Sequence, residues 1–419
     1  MKKLLATILA LVMALGLCTS AWATEAVNAA SATKDGQLTE YSTLAEAITN
    51  ADAGTAVTLL KNVKLDSTLK LNKNVVLDLN GYKISNGDSL EKKYYLIEIG
   101  TEADVDIVGD EKGSAIEDTR NNSTGTITAI CVYGKLTIDG SALAISRSGN
   151  GIAIKVDEKG ADKLGNLTVK KGTISSAQAI QSWGKTTIEG GTFNGEVNSR
   201  AYSNVAGTLT INNGDFNGAV YSGQLKYNGS WPSVSAKTNI KGGNFKGTIA
   251  EYYDDGSNSL QPIERVDKPS EIEESKVDIT GGVFANDITD YSEGTGVVRF
   301  KDTYYVNDSI GDAVTEAASG DTLDVVQGHV DMADMPAGVT VKNSGGGEVM
   351  VNGNKVEKDK TYTVPTKTTG GYYYYQPTTD TKADEAKGSP KTFDAGVGIY
   401  AVTAVLSVTG MAWTAKKRH

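Results

Sequence analysis

Carboxylates, a lone internal histidine and a scatter of aromatic rings are the groups in this 419-residue chain with the means to do chemistry. Hydrolysis of a glycosidic bond needs two carboxyl groups a few ångströms apart across a cleft. Asp254-Asp255, inside Tyr252-Tyr253-Asp254-Asp255-Gly256, is the only adjacent aspartate pair, and it reads more simply as a solvated acidic turn. His329 lies far along the chain from that pair, and Arg147 and Arg200 stand without an aspartate cluster nearby in sequence. There is no nucleophile elbow, phosphate loop or zinc-ligand spacing. The expectation is a non-enzymatic protein that needs no cofactor and no metal, with a polysaccharide lyase or glycoside hydrolase as the alternative.

The aromatic residues point instead to binding. Trp183, Tyr202, Tyr221 and Tyr252 each follow, at a similar short interval, one of the apolar positions Ile174, Phe193, Phe216 and Phe245. If those positions stack in register, the rings line one side of the molecule, where flat π-faces pack well on sugars. The competing reading is turn aromatics that fill local gaps. Trp231, followed by Pro232, is the most exposed-looking ring by sequence. Cys131, in Ala129-Ile130-Cys131-Val132, reads as an inert core thiol.

The elements that must hold these residues come from one recurring unit: a threonine-rich strand, a glycine pair and an aromatic. It is clearest as Thr186–Gly195 (TTIEGGTFNG), and returns as LTINNGDFNG from Leu209, TNIKGGNFKG from Thr238 and VDITGGVFAN from Val277. Weaker copies begin at Leu77, Leu136 and Leu167. Alternation of period two places the apolar residues of each copy on one face, with the glycines supplying turns. The marker positions are Leu79, Ile107, Ile138, Val169, Ile188, Ile211, Ile240 and Ile279. One such unit cannot bury its own inner face, and repeats of roughly 20–40 residues are the signature of a solenoid. An antiparallel β-sandwich is the runner-up, disfavoured by irregular spacing and the lack of hairpin signals. Longer insertions fall at Asp88 to Tyr94, Tyr221 to Ala236 and Glu251 to Ser275. Such variable loops are where binding usually sits.

An amphipathic helix is expected over residues 42–51, capped by Ser42, with Leu44, Ala47 and Ile48 on its apolar face. This opening resembles that of β-helix domains in bacterial surface proteins, where a helix covers the first turn of the solenoid. The resemblance implies a right-handed parallel β-helix of the pectin-lyase-like kind over residues 24–300. Pectin-degrading hydrolases of that fold add a glycine-flanked histidine and an arginine-lysine motif, and neither occurs here. Near Asn307, Ser309 to Val314 followed by Gly320 to Leu323 echoes the opening, so residues 301–356 read as a small second β unit or a C-terminal cap. Residues 357–392 have a linker's composition, broken by Tyr372 to Tyr375.

Both ends carry addresses. Lys2-Lys3, the apolar Leu4 to Leu17 and Ala21-Trp22-Ala23 form a signal peptide over residues 1–23, cleaved after Ala23. The weaker alternative makes Cys18 a lipoprotein cysteine. Residues 395–415 are uncharged and long enough to span a bilayer, and Lys416, Lys417 and Arg418 in the tip 416–419 favour a cytoplasmic end. Ser389, Pro390, Lys391 and Thr392 precede that span. Together these parts resemble the sorting signal of sortase-anchored surface proteins of Gram-positive bacteria, although Ser389 replaces the more familiar leucine. The resemblance implies cleavage after Thr392 by a sortase-type transpeptidase and transfer to cell-wall peptidoglycan; retention by the span is the alternative. With 51 acidic against 41 basic residues, nucleic acid is not an expected partner. The expected protein is therefore exported and wall- or membrane-anchored, acting as an adhesin or a glycan- or host-binding scaffold, or else as a plain spacer.

Overall fold

A computed structural model describes residues 28–91, 94–121, 127–255, 260–262 (backbone only) and 276–366. Chain contacts separate residues 1–367 from 368–419, and every described residue lies in the first of these units. The expected signal peptide at 1–23, the tyrosine run, the expected sorting motif at 389–392 and the expected span at 395–415 lie outside the described residues. Among the described residues, no helix is long and apolar enough to cross a membrane.

The fold is all-β, dominated by one large and mostly parallel sheet. Its strands fall into three ladders, in each of which a strand bonds to its counterpart in the next repeat. The first ladder carries the threonine-rich strands, and its inner column runs through the register pairs Val57↔Leu77, Leu77↔Ile107, Ile107↔Ile138, Ile138↔Val169, Val169↔Ile188, Ile188↔Ile211, Ile211↔Ile240 and Ile240↔Ile279. Leu77, not Leu79, thus occupies the marker position in the early copy. The slip is of two residues, so side-chain parity is kept and Leu79 is also fully buried.

The second ladder follows the glycine turn. Its column starts as Val63, Ile84, Ile116, Ile145 and Ile174, then becomes Phe193, Phe216, Phe245 and Phe284. The four phenyl rings stack with centroids 4.8, 4.6 and 4.7 Å apart and planes 7–8° from parallel. Beside them runs a glycine column in which Gly191, Gly214 and Gly243 have φ of +103°, +130° and +109°. A Cβ at Gly243 would stand 2.8 Å from the Gly214 carbonyl oxygen, so both the backbone conformation and the close stacking require glycine.

The third ladder joins Leu69–Leu71, Ile97–Ile99, Thr128–Val132, Ile152–Val156 and the ends of Asn166–Ser182 and Thr192–Tyr202 to Val220–Leu225 and Ile249–Asp254. One inner column stays aliphatic, through Ile180, Val197, Val220 and Ile249. The next changes from Leu71, Ile99, Val132 and Val156 to Ser182, Ser199 and Ser222. These serines are fully buried. Thr186 Oγ1 donates to Ser182 Oγ at 2.9 Å, and the Ser199 hydroxyl lies 2.9 Å from that of Thr238. Each buried hydroxyl in these pairs has a partner, as a buried polar group requires.

An N-terminal module closes one end of the ladders. Strands Ala30–Lys34 and Gln37–Tyr41 form a hairpin, and helix α1 (Leu44–Asn50) follows with Leu44, Ala47 and Ile48 buried. Thr43 is the N-cap, accepting from the Glu46 amide at 3.2 Å; Ser42 instead donates its hydroxyl to Glu46 Oε2 at 2.8 Å. The first of these strands then pairs antiparallel with Ala56–Leu59, the first member of the first ladder. The same arrangement recurs at the other end: hairpin Val297–Phe300 and Thr303–Val306, helix α2 (Ile310–Glu316), then Thr322–Gln327 pairing antiparallel with the hairpin's first strand. Parallel pairs Leu323↔Val341 and Val330↔Val349 continue it. The echo in the sequence is thus a repeated arrangement, around which a second cluster of buried residues gathers, from Val298 to Val364.

Candidate functional site

Residues at odd steps from the inner column of the third ladder point away from the core. Over its middle strands these are Gln181 and Trp183, then Asn198, Arg200 and Tyr202, then Tyr221, then Tyr252. Arg200 organises the group. Its Nε donates to Asn198 Oδ1 at 3.1 Å and one Nη to the Tyr221 hydroxyl at 2.7 Å. Asn198 Nδ2 donates to that same hydroxyl at 3.2 Å, and the hydroxyl lies 3.4 Å from Glu196 Oε2. The guanidinium also faces the Trp183 and Tyr221 rings, at 6.0 and 5.7 Å from their centroids. Burial pushes the Tyr221 phenol well above its ordinary value, against the opposing pull of Arg200.

Of the five rings expected to bind, four share this face. Trp183 meets Tyr202 edge-on at 4.8 Å, Tyr202 meets Tyr227 at 5.7 Å, and Tyr221 meets Tyr252 at 5.1 Å. Trp183 and Tyr221 are only 7% and 2% exposed, so they back the face rather than present it. Tyr202 and Tyr252 are half-buried, and Tyr227, which sequence reasoning passed over, is 51% exposed. Tyr202 donates to Glu158, from the loop after Ile152–Val156, two strands back in the ladder. Burial, reinforced by that hydrogen bond, raises its phenol. Trp231 packs on Tyr253 at 5.8 Å, and Tyr253 leaves its strand on the side opposite Tyr252. Trp231 is therefore half-buried and apart from the other four, and Pro232 is buried.

Two carboxylates, Glu196 and Glu158, touch this face through the Tyr221 and Tyr202 hydroxyls. Asp254 ends its strand and is buried, while Asp255 is exposed. His329 sits in the C-terminal module, 3.7 Å from Glu348 and mostly exposed. Among the described residues, no group of three or more His, Cys, Asp or Glu side chains is placed to hold a metal ion. Cys131 is fully buried on the outer side of the third ladder, and burial raises its thiol to about 12. What the face offers is flat rings, the Arg200 guanidinium, the Glu196 and Glu158 carboxylates and neutral hydrogen-bonding groups, a set suited to holding a polar, ring-shaped ligand.

No protein-family model, curated protein or solved structure matches the chain.

Proposed function

We propose that this chain is a right-handed parallel β-helix protein displayed on the cell surface, which binds extracellular glycan through the aromatic face of its third ladder. The observation that carries the binding reading is the grouping of Trp183, Tyr202, Tyr221, Tyr252 and Tyr227 about Arg200. The β-helix reading is supported by three parallel ladders, each linking a strand to its counterpart one repeat on, and by the strong right-handed preference of parallel crossovers. Surface display is supported by the signal peptide with Ala21 and Ala23, the Ser389-Pro390-Lys391-Thr392 motif, the apolar 395–415 and the basic tip. In this reading a sortase-type transpeptidase joins Thr392 to peptidoglycan, and residues 367–392 space the folded part from the wall.

A glycan array, run beside an assay for reducing ends or unsaturated sugars released from plant and host polysaccharides, tests the function. Binding without release is expected. Release that disappears in Asp254→Asn would make the chain an enzyme. Neither binding nor release would leave a spacer.

A further inference from the structure

Arg147 is 3% exposed, and among the described residues its Nε and both Nη atoms have no hydrogen-bond partner. It ends the second-ladder segment of its strand, in register with Asp118 of the preceding repeat. Asp118 is already committed: Arg120 donates Nε to its Oδ1 at 2.8 Å and Nη2 to its Oδ2 at 2.5 Å, and the Arg120 amide adds a third bond at 3.2 Å. Arg120 and Asp118 are as buried as Arg147. Arg120 thus takes up both Asp118 oxygens, and among the described residues no carboxylate forms an ion pair with Arg147. A guanidinium offers five donors and accepts nothing, so only an acceptor can satisfy it. Leaving a buried charge unpaired is among the costliest arrangements a fold can carry.

The surroundings are shaped around this side chain. A Cβ at Gly151 would fall 2.0 Å from Arg147 Nε and 2.4 Å from its Cζ, so the guanidinium lies in the space that the missing side chain of Gly151 leaves open. The turn Ser148, Gly149 and Asn150 directly above it is exposed, and Asn121, also exposed, brings its Oδ1 to the same side of Gly149 as the Arg147 Nη1. Burial holds the Arg147 guanidinium below its ordinary value, with Asp118 opposing and Arg120 reinforcing the shift.

We infer that Arg147 is the anchor of an anion site that takes an oxyanion group, entering beneath the Ser148 to Asn150 turn. Carboxylate, sulfate and phosphate all present two oxygens at the spacing of the guanidinium fork. The site lies apart from the aromatic face and does not depend on it.

Thermal unfolding of the full chain and of Arg147→Met tests this, in sodium glucuronate, sulfate or phosphate against chloride at equal ionic strength. Non-specific salting by sulfate acts on both proteins alike, so the difference between them is the readout. At least one oxyanion should raise the midpoint of the wild type by about 4 °C at a hundredfold excess over its Kd, and leave Arg147→Met unmoved. The arm that responds identifies the source as an acidic sugar, a sulfated glycan or a phosphate. In chloride, Arg147→Met should melt no lower than the wild type, since it removes an unpaired charge. Equal responses of the two proteins to every oxyanion would overturn the proposal, as would an Arg147→Met chain that is unfolded or melts well below the wild type in chloride.

Discussion

Phe193 and Phe216 lie face to face, centroids 4.8 Å apart and planes 8° from parallel, because they are register partners on adjacent strands of the second ladder. Strand spacing in a sheet fixes that distance. The stack is therefore a consequence of the parallel register, and the buried area of four rings reinforces the register in return. Phe216 and Phe245, each with a ring on both sides, should be the most sensitive members. Phe216→Ala is expected to cost about 3–5 kcal/mol in urea unfolding, and Phe216→Leu clearly less. Equal, small losses for both would mean that the stack contributes nothing beyond ordinary burial.

The glycine column gives a sharper contrast. Gly243 combines φ of +109° with a Cβ position 2.8 Å from the Gly214 carbonyl oxygen, whereas Gly229, at φ +79°, has nothing within 4 Å. Gly243→Ala should destabilise by roughly 2–3 kcal/mol or more, and Gly229→Ala by about 1 kcal/mol. Chemical denaturation of the two variants side by side should show the larger loss for Gly243→Ala, and equal losses would contradict a cost from the close approach.

Cys131 tests the packing of the third ladder's outer face. Its thiol is raised from 9.0 to about 12 by burial, so the folded state holds the proton more tightly than the unfolded chain. The stability this contributes is complete below pH 9.0 and is lost as the pH climbs towards about 12. At pH 8 a thiol reagent should leave the native protein unmodified and label it fully in denaturant. Rapid labelling of the native protein would show that Tyr133 and Tyr95, whose side chains hydrogen-bond with the Cys131 thiol, do not shield the sulfur.

Much of this architecture was legible in the sequence because its constraints are local and repeated. Alternation identified the first-ladder strands, and the glycine pairs announced the turns into the phenylalanine column. The third ladder was harder to see. From Ser182 onward one of its two inner columns is serine, and its outer positions include Asn198 and Arg200, which breaks the hydrophobic alternation that would mark it. Those serines are buried in pairs with threonines of the first ladder, a relation between distant residues that periodicity cannot express. The same distance hid the role of Arg200, whose partners are an asparagine and a tyrosine instead of the aspartates looked for. The aromatic spacing did anticipate four rings on one side, but exposure depends on loops, and so Trp231 was overrated and Tyr227 missed.

Anchoring carries its own expectation. Mass spectrometry of muralytic digests should yield a peptide ending at Thr392 and bearing a wall fragment. Intact His419 in membrane fractions, with nothing in the wall, would make residues 395–415 a permanent anchor instead.

The central claim is that the aromatic face binds glycan, and equilibrium titration of the strongest array ligand tests it most directly. Tyr252→Ala and Tyr202→Ala should each weaken binding by roughly fivefold to tenfold without lowering the melting temperature by more than a few degrees, the loss expected for one ring–sugar contact. Trp231→Ala, on the opposite side, should bind like the wild type. Unchanged affinity in both tyrosine variants, or a loss confined to Trp231→Ala, would contradict the assignment of this face.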